Sequence, residues 1–360
     1  MVLNGTKFNM KEFKIGNKFV GENHPTYIIT EAGCNHDGKL EQGFKLIEEA
    51  AKNGADAIKF QTFKAKKLVT KTAGQWWLPE EQRQGKTQLD LYKTQDTFGF
   101  EEYKALQDHC NKNGITFLST PFDEGSADLL ERLNVPAYKI ASTDLTNLPF
   151  LEYVAKKQKP MLISAGMSFL EEIAESIETI RNTGNEQICL MHCIVEYPAP
   201  MHHANLNFIK TLKKEFPDYV IGFSDHTLGY VADIVATVFG AKIIEKHFTF
   251  DKTIRGSPDH IISVDPKELS DLVKDVRVAE SSLGSYDREI LEYEKPAREF
   301  GRRKLVANVY IPKNTIIERH MITAKRNEEG LYPKFLKDVL GKKTKVDLDE
   351  DAPIEFNKLY

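Results

Sequence analysis

The sequence predicts an α/β chain built as a (β/α)8 TIM barrel followed by a small β-rich domain. Three observations carry this expectation. Eight short apolar runs alternate with helix-period stretches between about residues 27 and 283; polar side chains gather at one end of nearly every run; and the composition shifts after Gly284.

The candidate strands are 27–30, 57–60, 115–118, 137–140, 161–163, 188–191, 220–222 and 242–244. Between and after them lie 40–52, 101–113, 125–133, 148–157, 169–183, 206–216, 230–239 and 266–283, whose apolar residues recur at helical spacing. Gly54, Gly114, Gly184 and Gly240 close helices just before the next strand. Strands that alternate with helices pair in parallel through right-handed crossovers, and eight such units over about 250 residues match a closed barrel. An open doubly wound sheet would carry a Gly-rich nucleotide turn after its first strand. Here that place reads Glu31-Ala32-Gly33-Cys34-Asn35-His36.

Residues 62–99 interrupt the rhythm with a polar, aromatic insertion (Trp76, Trp77, Pro79, Tyr92, Phe98). It follows the second strand, so it is expected over the active face of the barrel, with a surface excursion or a dimer contact as the alternative. The domain boundaries expected are 1–283 for the barrel, 284–303 for a charged linker, and 304–360 for the small domain. In the last of these, short β-like runs stand at 305–307, 316–317 and 353–356.

The bulk numbers narrow the function classes. A 360-residue chain with 41% hydrophobic and 28% charged residues can bury a large core. A net charge of −4 gives no general field for nucleic acid or an anionic membrane, so an anionic ligand must be held by a few local cations. No stretch approaches the roughly 20 apolar residues of a membrane span, and Met1 to Phe13 lacks the apolar run of a signal peptide. The four cysteines form no CxxC pair and read as free thiols. A cytoplasmic protein is expected.

Taken in order, the strand ends present Glu31; Lys59 and Gln61; Ser119 and Thr120; Lys139 and Ser142; Ser164; His192; Ser224, Asp225 and His226; Glu245, Lys246 and His247. In barrel enzymes that face carries the chemistry. Lys59 and Lys139 lie inside apolar strands, where a lone ammonium is costly, so each is expected to face an anion. With the hydroxyls of Ser142 and Ser164 they make a cradle for a phosphate and a carboxylate; the alternative is a structural Lys–Glu pair with Glu31 or Glu245. His226 and His247 end successive strands, whose ends lie about 5 Å apart in a barrel, and can share a divalent ion. Two core histidines bonded to backbone are the alternative. His192 stands as a third ligand or an outer donor.

These residues fall in segments that resemble one family, the sialic acid (nonulosonic acid) synthases. The segments are Thr30 to Gly38, Asp56 to Phe63, Ser119 to Asp123, Tyr138 to Ser142, Ser164 to Met167, His192-Cys193 with Tyr197-Pro198, Gly222 to Thr227 and Glu245 to Thr249. The tail resembles the family's antifreeze-like (SAF) domain, with Arg302-Arg303-Lys304 and Lys325-Arg326 in place. The resemblance implies condensation of phosphoenolpyruvate with an open-chain N-acetylated hexosamine. N-acetylneuraminate synthesis is the leading member, and N,N'-diacetyllegionaminate or pseudaminate synthesis the alternative.

By the same resemblance phosphoenolpyruvate sits on Lys59, Lys139, Ser142 and Ser164, and Ser224 is a further substrate-binding residue. His226 and His247 hold a divalent metal, Mn2+ first, Mg2+ or Co2+ otherwise. Glu31, Gln61, Asp144, Tyr197 and Asp259 line the sugar side, and Arg326 reaches in from the partner of a domain-swapped homodimer. Glu31 takes the proton-transfer or water-orienting role. Asp144, where many members have Glu, Ile194-Val195, and Asn327-Glu328-Glu329-Gly330 after Arg326 depart from the usual pattern, all on the sugar side.

Phosphorylated-aldose synthases of the same chemistry need extra cations for a second phosphate. Amidohydrolase-type barrels need an HxH pair at the first strand, which is missing here. A non-catalytic sugar-binding protein would have no use for the full set of lysines and histidines.

Overall fold

A computed structural model describes residues 12–75, 85–254 and 258–360, and the chain divides into two compact units between Leu283 and Gly284. The first unit begins with a hairpin, β1 (Phe13–Ile15) and β2 (Lys18–Val20), that pairs antiparallel around Gly16-Asn17. Gly16 takes φ +59, open to glycine at no steric cost, which suits the first corner of a two-residue hairpin turn.

Eight parallel strands follow: β3 (Tyr27–Gly33), β4 (Ala57–Thr62), β5 (Thr116–Pro121), β6 (Tyr138–Ile140), β7 (Met161–Ser164), β8 (Ile188–Cys193), β9 (Val220–Asp225) and β10 (Ile243–His247). Their order, β5-β4-β3-β10-β9-β8-β7-β6, runs round the barrel in sequence, and β5 and β6 lie side by side at the seam without a ladder between them. The expected barrel is therefore present, nearly closed. Six of the eight strands run two or three residues past the ends expected from sequence, so the polar residues there are strand residues and obey strand alternation.

Alternation sorts the wall into two layers. Ile28, Ile58, Phe117, Ile163, Leu190 and Ile244 face outward, in one cluster with the helices. Tyr27, Ile29, Ala57, Leu118, Leu162, Met191 and Ile243 face the lumen, where Phe13, Ile15 and Val20 of the hairpin pack against them and floor the barrel. Each fully buried aliphatic side chain contributes about 1.5–3 kcal/mol. Helix ends follow local chemistry: Asp123 accepts from Ser126 N at 3.1 Å to start Glu124–Arg132, and Gly114 at φ +70 ends Phe100–Asn113.

In the 62–99 insertion, short helices Ala65–Leu68 and Gln88–Gln95 flank residues 76–84. Trp76, Trp77 and Pro79 lie outside the described residues. Tyr92 meets Phe63 edge-on at 5.5 Å, and Phe98 stacks on His36 at 4.5 Å, so the insertion covers the C-terminal ends of β3 and β4. All four cysteines are buried and free. Among the described residues no helix is long and apolar enough to cross a membrane.

The second unit starts with two short helical turns, Glu292–Glu294 and Lys295–Phe300, inside the expected linker. β11 (Arg303–Ala307) then pairs antiparallel with β12 (Ile322–Arg326) over a core of Leu305, Ile311, Ile317, Ile322, Val339 and Leu348. The runs at 316–317 and 353–356 make single bridges, Ile316 with Lys343 and Pro353 with Val306, in place of strands.

Candidate active site

Above the hydrophobic floor the lumen turns polar. Glu31, Lys59, Lys139, Ser164, Ser224, Glu245 and His247 are all buried and come from six different strands. Lys59 is ion-paired with Glu31, donates to Thr120 Oγ1 at 3.0 Å, and lies 3.8 Å from Glu245 Oε2. Glu245 Oε1 accepts from Lys139 Nζ at 3.1 Å and from Ser224 Oγ at 3.0 Å. Two ammoniums and two carboxylates thus form one chain across the lumen, each charge compensated, as burial at this depth requires. The Lys–Glu pairing weighed from sequence is present. Glu245 is its hub, although the residues singled out for the site did not include it.

Their protonation differs. Burial pushes Glu31 up to about 7, against the pull of Lys59 and with the help of Glu245. For Glu245 burial acts the same way, but Lys139, Lys59 and the Ser224 hydroxyl outweigh it and hold the carboxyl below its ordinary value. Lys59 is raised, since the two glutamates overcome its burial. One carboxyl poised near neutrality beside one held ionised is the pattern of an acid–base group with an electrostatic partner.

A second group lies beside Glu31. Gln61 Nε2 donates to Glu31 Oε1 at 3.0 Å. Gly33, at φ +50, keeps space open here: a Cβ on it would stand 2.9 Å from Asp259 Oδ2, 3.5 Å from Glu31 Oε1 and 3.7 Å from Gln61 Nε2. Asp259, from the turn Pro258–Ile261, therefore joins Glu31 and Gln61, and burial pushes it up to about 6 against His226 and Lys59. Its loop is pinned by Ser263 Oγ, which donates to the Asp259 carbonyl at 2.7 Å and accepts from Asn35 at 3.0 Å.

The imidazoles of His226 and His247 are 5.3 Å apart between ring centres. His226 Nδ1 donates to the Ile194 carbonyl at 2.7 Å, which leaves Nε2 as the lone-pair nitrogen. Burial and the neighbouring cations His226 and Lys59 hold His247 well below its usual value, so it is neutral. Its buried Nδ1 has no hydrogen-bond partner among the described residues and lies 3.7 Å from Asp259 Oδ2. Two neutral-capable imidazoles with a free nitrogen fit a divalent cation. No group of three or more His, Cys, Asp or Glu able to hold one is present among the described residues, so water or substrate would complete its shell. For His226 burial opposes the proton, yet the Cys193 thiol and the Ile194 carbonyl outweigh it, so a cation would compete with a proton there.

The remaining residues divide. Ser142 accepts from Gly166 N at 3.1 Å, and Ser164 Oγ is buried with no hydrogen-bond partner among the described residues. The exposed ring of Tyr197 lies 4.1 Å from that of His226. Asp144, raised by burial, stands in the turn after β6 at 3.5 Å from Thr143 Oγ1 and Asn147 Nδ2. Arg326, at the end of β12 and opposite Arg303, is exposed in the second unit.

His192 is not a ligand. It alternates with the lumen-facing Met191 and Cys193, so it points outward, between Phe208 and Phe223, with Nε2 2.8 Å from the Ala204 carbonyl oxygen.

On the same outer side Lys246 Nζ donates to Asp225 Oδ2 at 2.5 Å and to the Thr227 carbonyl, and Asp233 is buried nearby with its carboxyl raised well above the ordinary value by burial and by Asp225.

Comparison with known proteins gives these residues a setting. The NeuB family model matches residues 46–288, and the SAF domain model matches 302–359. The chain is 41% identical to an uncharacterised protein of Methanocaldococcus jannaschii over 97% of its own length and 99% of that protein's. It is 37% identical to the N,N'-diacetyllegionaminic acid synthase of Legionella pneumophila, with 91% and 93% covered, and 36% identical to the N-acetylneuraminate-9-phosphate synthase of Homo sapiens, with 94% and 93% covered. Among solved structures, the N-acetylneuraminic acid synthetase of Leptospira borgpetersenii in complex with citrate matches with a TM-score of 0.73 at 33% identity, over 81% of this chain and 96% of that one. A NeuB match over two-thirds of the chain, a SAF match on its tail and near full-length similarity to these synthases together mean that the chain belongs to the NeuB family of nonulosonic acid synthases.

Proposed function

We propose that this enzyme condenses phosphoenolpyruvate and water with an open-chain N-acetylated hexosamine, releasing phosphate and a nine-carbon sugar acid. N-acetylmannosamine is the first choice of sugar, and a 2,4-diacetamido-trideoxyhexose the second, favoured by the similarity to a legionaminic acid synthase. The observation that carries the reading is the chain Glu31–Lys59–Glu245–Lys139 beside the Ser164 hydroxyl, which has no hydrogen-bond partner among the described residues, and the two imidazoles, all in one barrel lumen.

In this reading Lys59 and Lys139 exchange part of their carboxylate contacts for the phosphate and carboxylate of phosphoenolpyruvate, while Ser142, Ser164 and Ser224 supply hydroxyls. Glu245 keeps both ammoniums protonated and in place. The enol C3 forms the new bond to the sugar aldehyde carbon, water adds at C2, and the C2–O bond to phosphate breaks. Glu31, half-protonated near neutral pH, gives a proton to the new hydroxyl oxygen or takes one from the attacking water. Gln61, Asp259, Tyr197 and Asp144 orient the sugar. A divalent cation on His226 and His247, Mn2+ or else Mg2+ or Co2+, supplies Lewis acidity toward the sugar carbonyl or toward a water.

We include in the proposal a cytoplasmic, domain-swapped homodimer in which Arg326 serves the partner's site. Mixing Arg326→Ala with Glu31→Gln protein would then restore activity that neither has alone.

The decisive assay is phosphate release from phosphoenolpyruvate with N-acetylmannosamine, 2,4-diacetamido-trideoxymannose or 2,4-diacetamido-trideoxyaltrose, each with and without Mn2+. Release that needs both a metal and one N-acetylated hexosamine supports the reading, and release without any sugar removes it.

A further inference from the structure

The two imidazoles stand just beyond the point where backbone pairing can fix their separation. The ladder between β9 and β10 runs Ile243 with Gly222, Ile244 with Phe223, Glu245 with Ser224, and ends at Lys246 with Asp225. His226 is the first residue after β9, and His247 is the last residue of β10, beyond its ladder with β9. His247 is paired with Glu31 of β3 and His226 bonds to the Ile194 carbonyl, so each is held to a different neighbour and neither contact fixes one histidine against the other.

We propose that Lys246, Asp225 and Thr227 form a clamp on the outer face of the barrel wall that sets the spacing of His226 and His247; this rests on the metal reading above. Alternation turns Asp225 and Lys246 outward while His226 and His247 turn into the lumen. Lys246 Nζ donates both to Asp225 Oδ2, at 2.5 Å, and to the Thr227 carbonyl. It therefore grips the residue before and the residue after His226. Asp225 closes the same turn, accepting from Thr227 N at 2.8 Å on Oδ1 and from Thr227 Oγ1 at 3.0 Å on Oδ2. A rotation of His226 about its backbone would have to break several of these bonds together.

The location strengthens the inference. Outward neighbours on the same strands are Phe223 and Ile244, and they pack as an ordinary apolar layer. Lys246 and Asp225 are both buried there, with no side-chain exposure. A buried ion pair is weak as a source of stability, because desolvation consumes most of the attraction, so what it contributes is register. Lys246 and Asp225 are thus positioning residues, acting through His247 and His226.

The test measures Mn2+ binding to the full chain by the electron spin resonance signal of free Mn2+, with the Co2+ absorption spectrum as a geometric readout. The variants are Asp225→Asn with Lys246→Met together, which removes the clamp without leaving a buried charge, and His226→Ala as the control. The clamp predicts that the double variant keeps its circular dichroism and phosphoenolpyruvate affinity, weakens Mn2+ binding about tenfold or more, as outer-sphere changes do, and alters the Co2+ spectrum. A folded double variant with wild-type Mn2+ affinity and Co2+ spectrum overturns the clamp and leaves the metal reading standing. No Mn2+ binding by the wild type, or undiminished binding by His226→Ala, overturns the metal reading and the clamp with it. If the double variant does not fold, Asp225→Asn alone decides, and Mn2+ affinity equal to wild type overturns the clamp.

Discussion

Replacing Glu31 by Gln is expected to stabilise the barrel while disabling it, and the stabilisation should grow with pH. Burial raises the Glu31 carboxyl from an ordinary 4.5 to about 7. Below pH 4.5 both folded and unfolded chains hold the proton, and the group costs nothing. As pH rises from 4.5 toward 7 the unfolded chain releases it first, so the folded chain loses stability, and the loss is complete above 7. At about 1.4 kcal/mol per pH unit the cost reaches on the order of 3 kcal/mol at pH 8.

Gln carries no such cost, which already includes the pull of Lys59, but its amide NH2 must face one of the two donors at that place, Lys59 or Gln61. A net gain of about 1–2 kcal/mol at pH 8 is expected, roughly 2–8 °C in Tm at 2–4 °C per kcal/mol for a unit of this size. Thermal melts of both proteins at pH 5, 6, 7 and 8 measure it. A Tm difference that is flat or shrinks as pH rises refutes the argument. In the same variant kcat should fall at least about a hundredfold with phosphoenolpyruvate binding near normal; unchanged turnover would remove Glu31 from the mechanism.

Other perturbations separate the parts of the site. Gly33→Ala forces a Cβ to 2.9 Å from Asp259 and a left-handed backbone, so it should cost about 1–2 kcal/mol and raise KM for the sugar but not for phosphoenolpyruvate. Lys139→Met takes the nearer ammonium from Glu245, leaving it Ser224 and the more distant Lys59, and is expected to lose about 3 kcal/mol by urea titration, with most of it recovered when Glu245→Leu is added; calorimetry should show weak phosphoenolpyruvate binding in both. Ile15→Ala hollows the floor and should cost about 2–5 kcal/mol, with activity per folded molecule unchanged.

Much of this architecture is legible in the sequence because it is written locally. The apolar runs, the glycines that stop helices and the polar residues at strand ends are patterns within a few residues, and they located all eight strands. What was not legible depends on which residues meet across the lumen. Glu245 and Lys139 are 106 residues apart, and although a Lys–Glu pair is foreseeable from two buried lysines, nothing near either shows which glutamate meets which lysine. His192 is open in the sequence between a ligand and an outer donor for a different reason: its place in the alternation with Met191 and Cys193 settles its direction, but only once the strand is known to continue to Cys193. The hairpin Phe13–Ile15 and Lys18–Val20 carries its own signal in Gly16-Asn17, yet two strands of three residues are too short to stand out.

That hairpin also constrains traffic. With Phe13, Ile15 and Val20 filling the bottom, the lumen is a cul-de-sac, and everything that enters must back out through the same doorway. Whichever substrate lies deeper has to arrive first, and whatever occupies its place after reaction has to wait until the shallower product has gone. Steady-state kinetics should therefore be strictly ordered, with the shallower substrate acting as a cork when it arrives too early and inhibiting at high concentration.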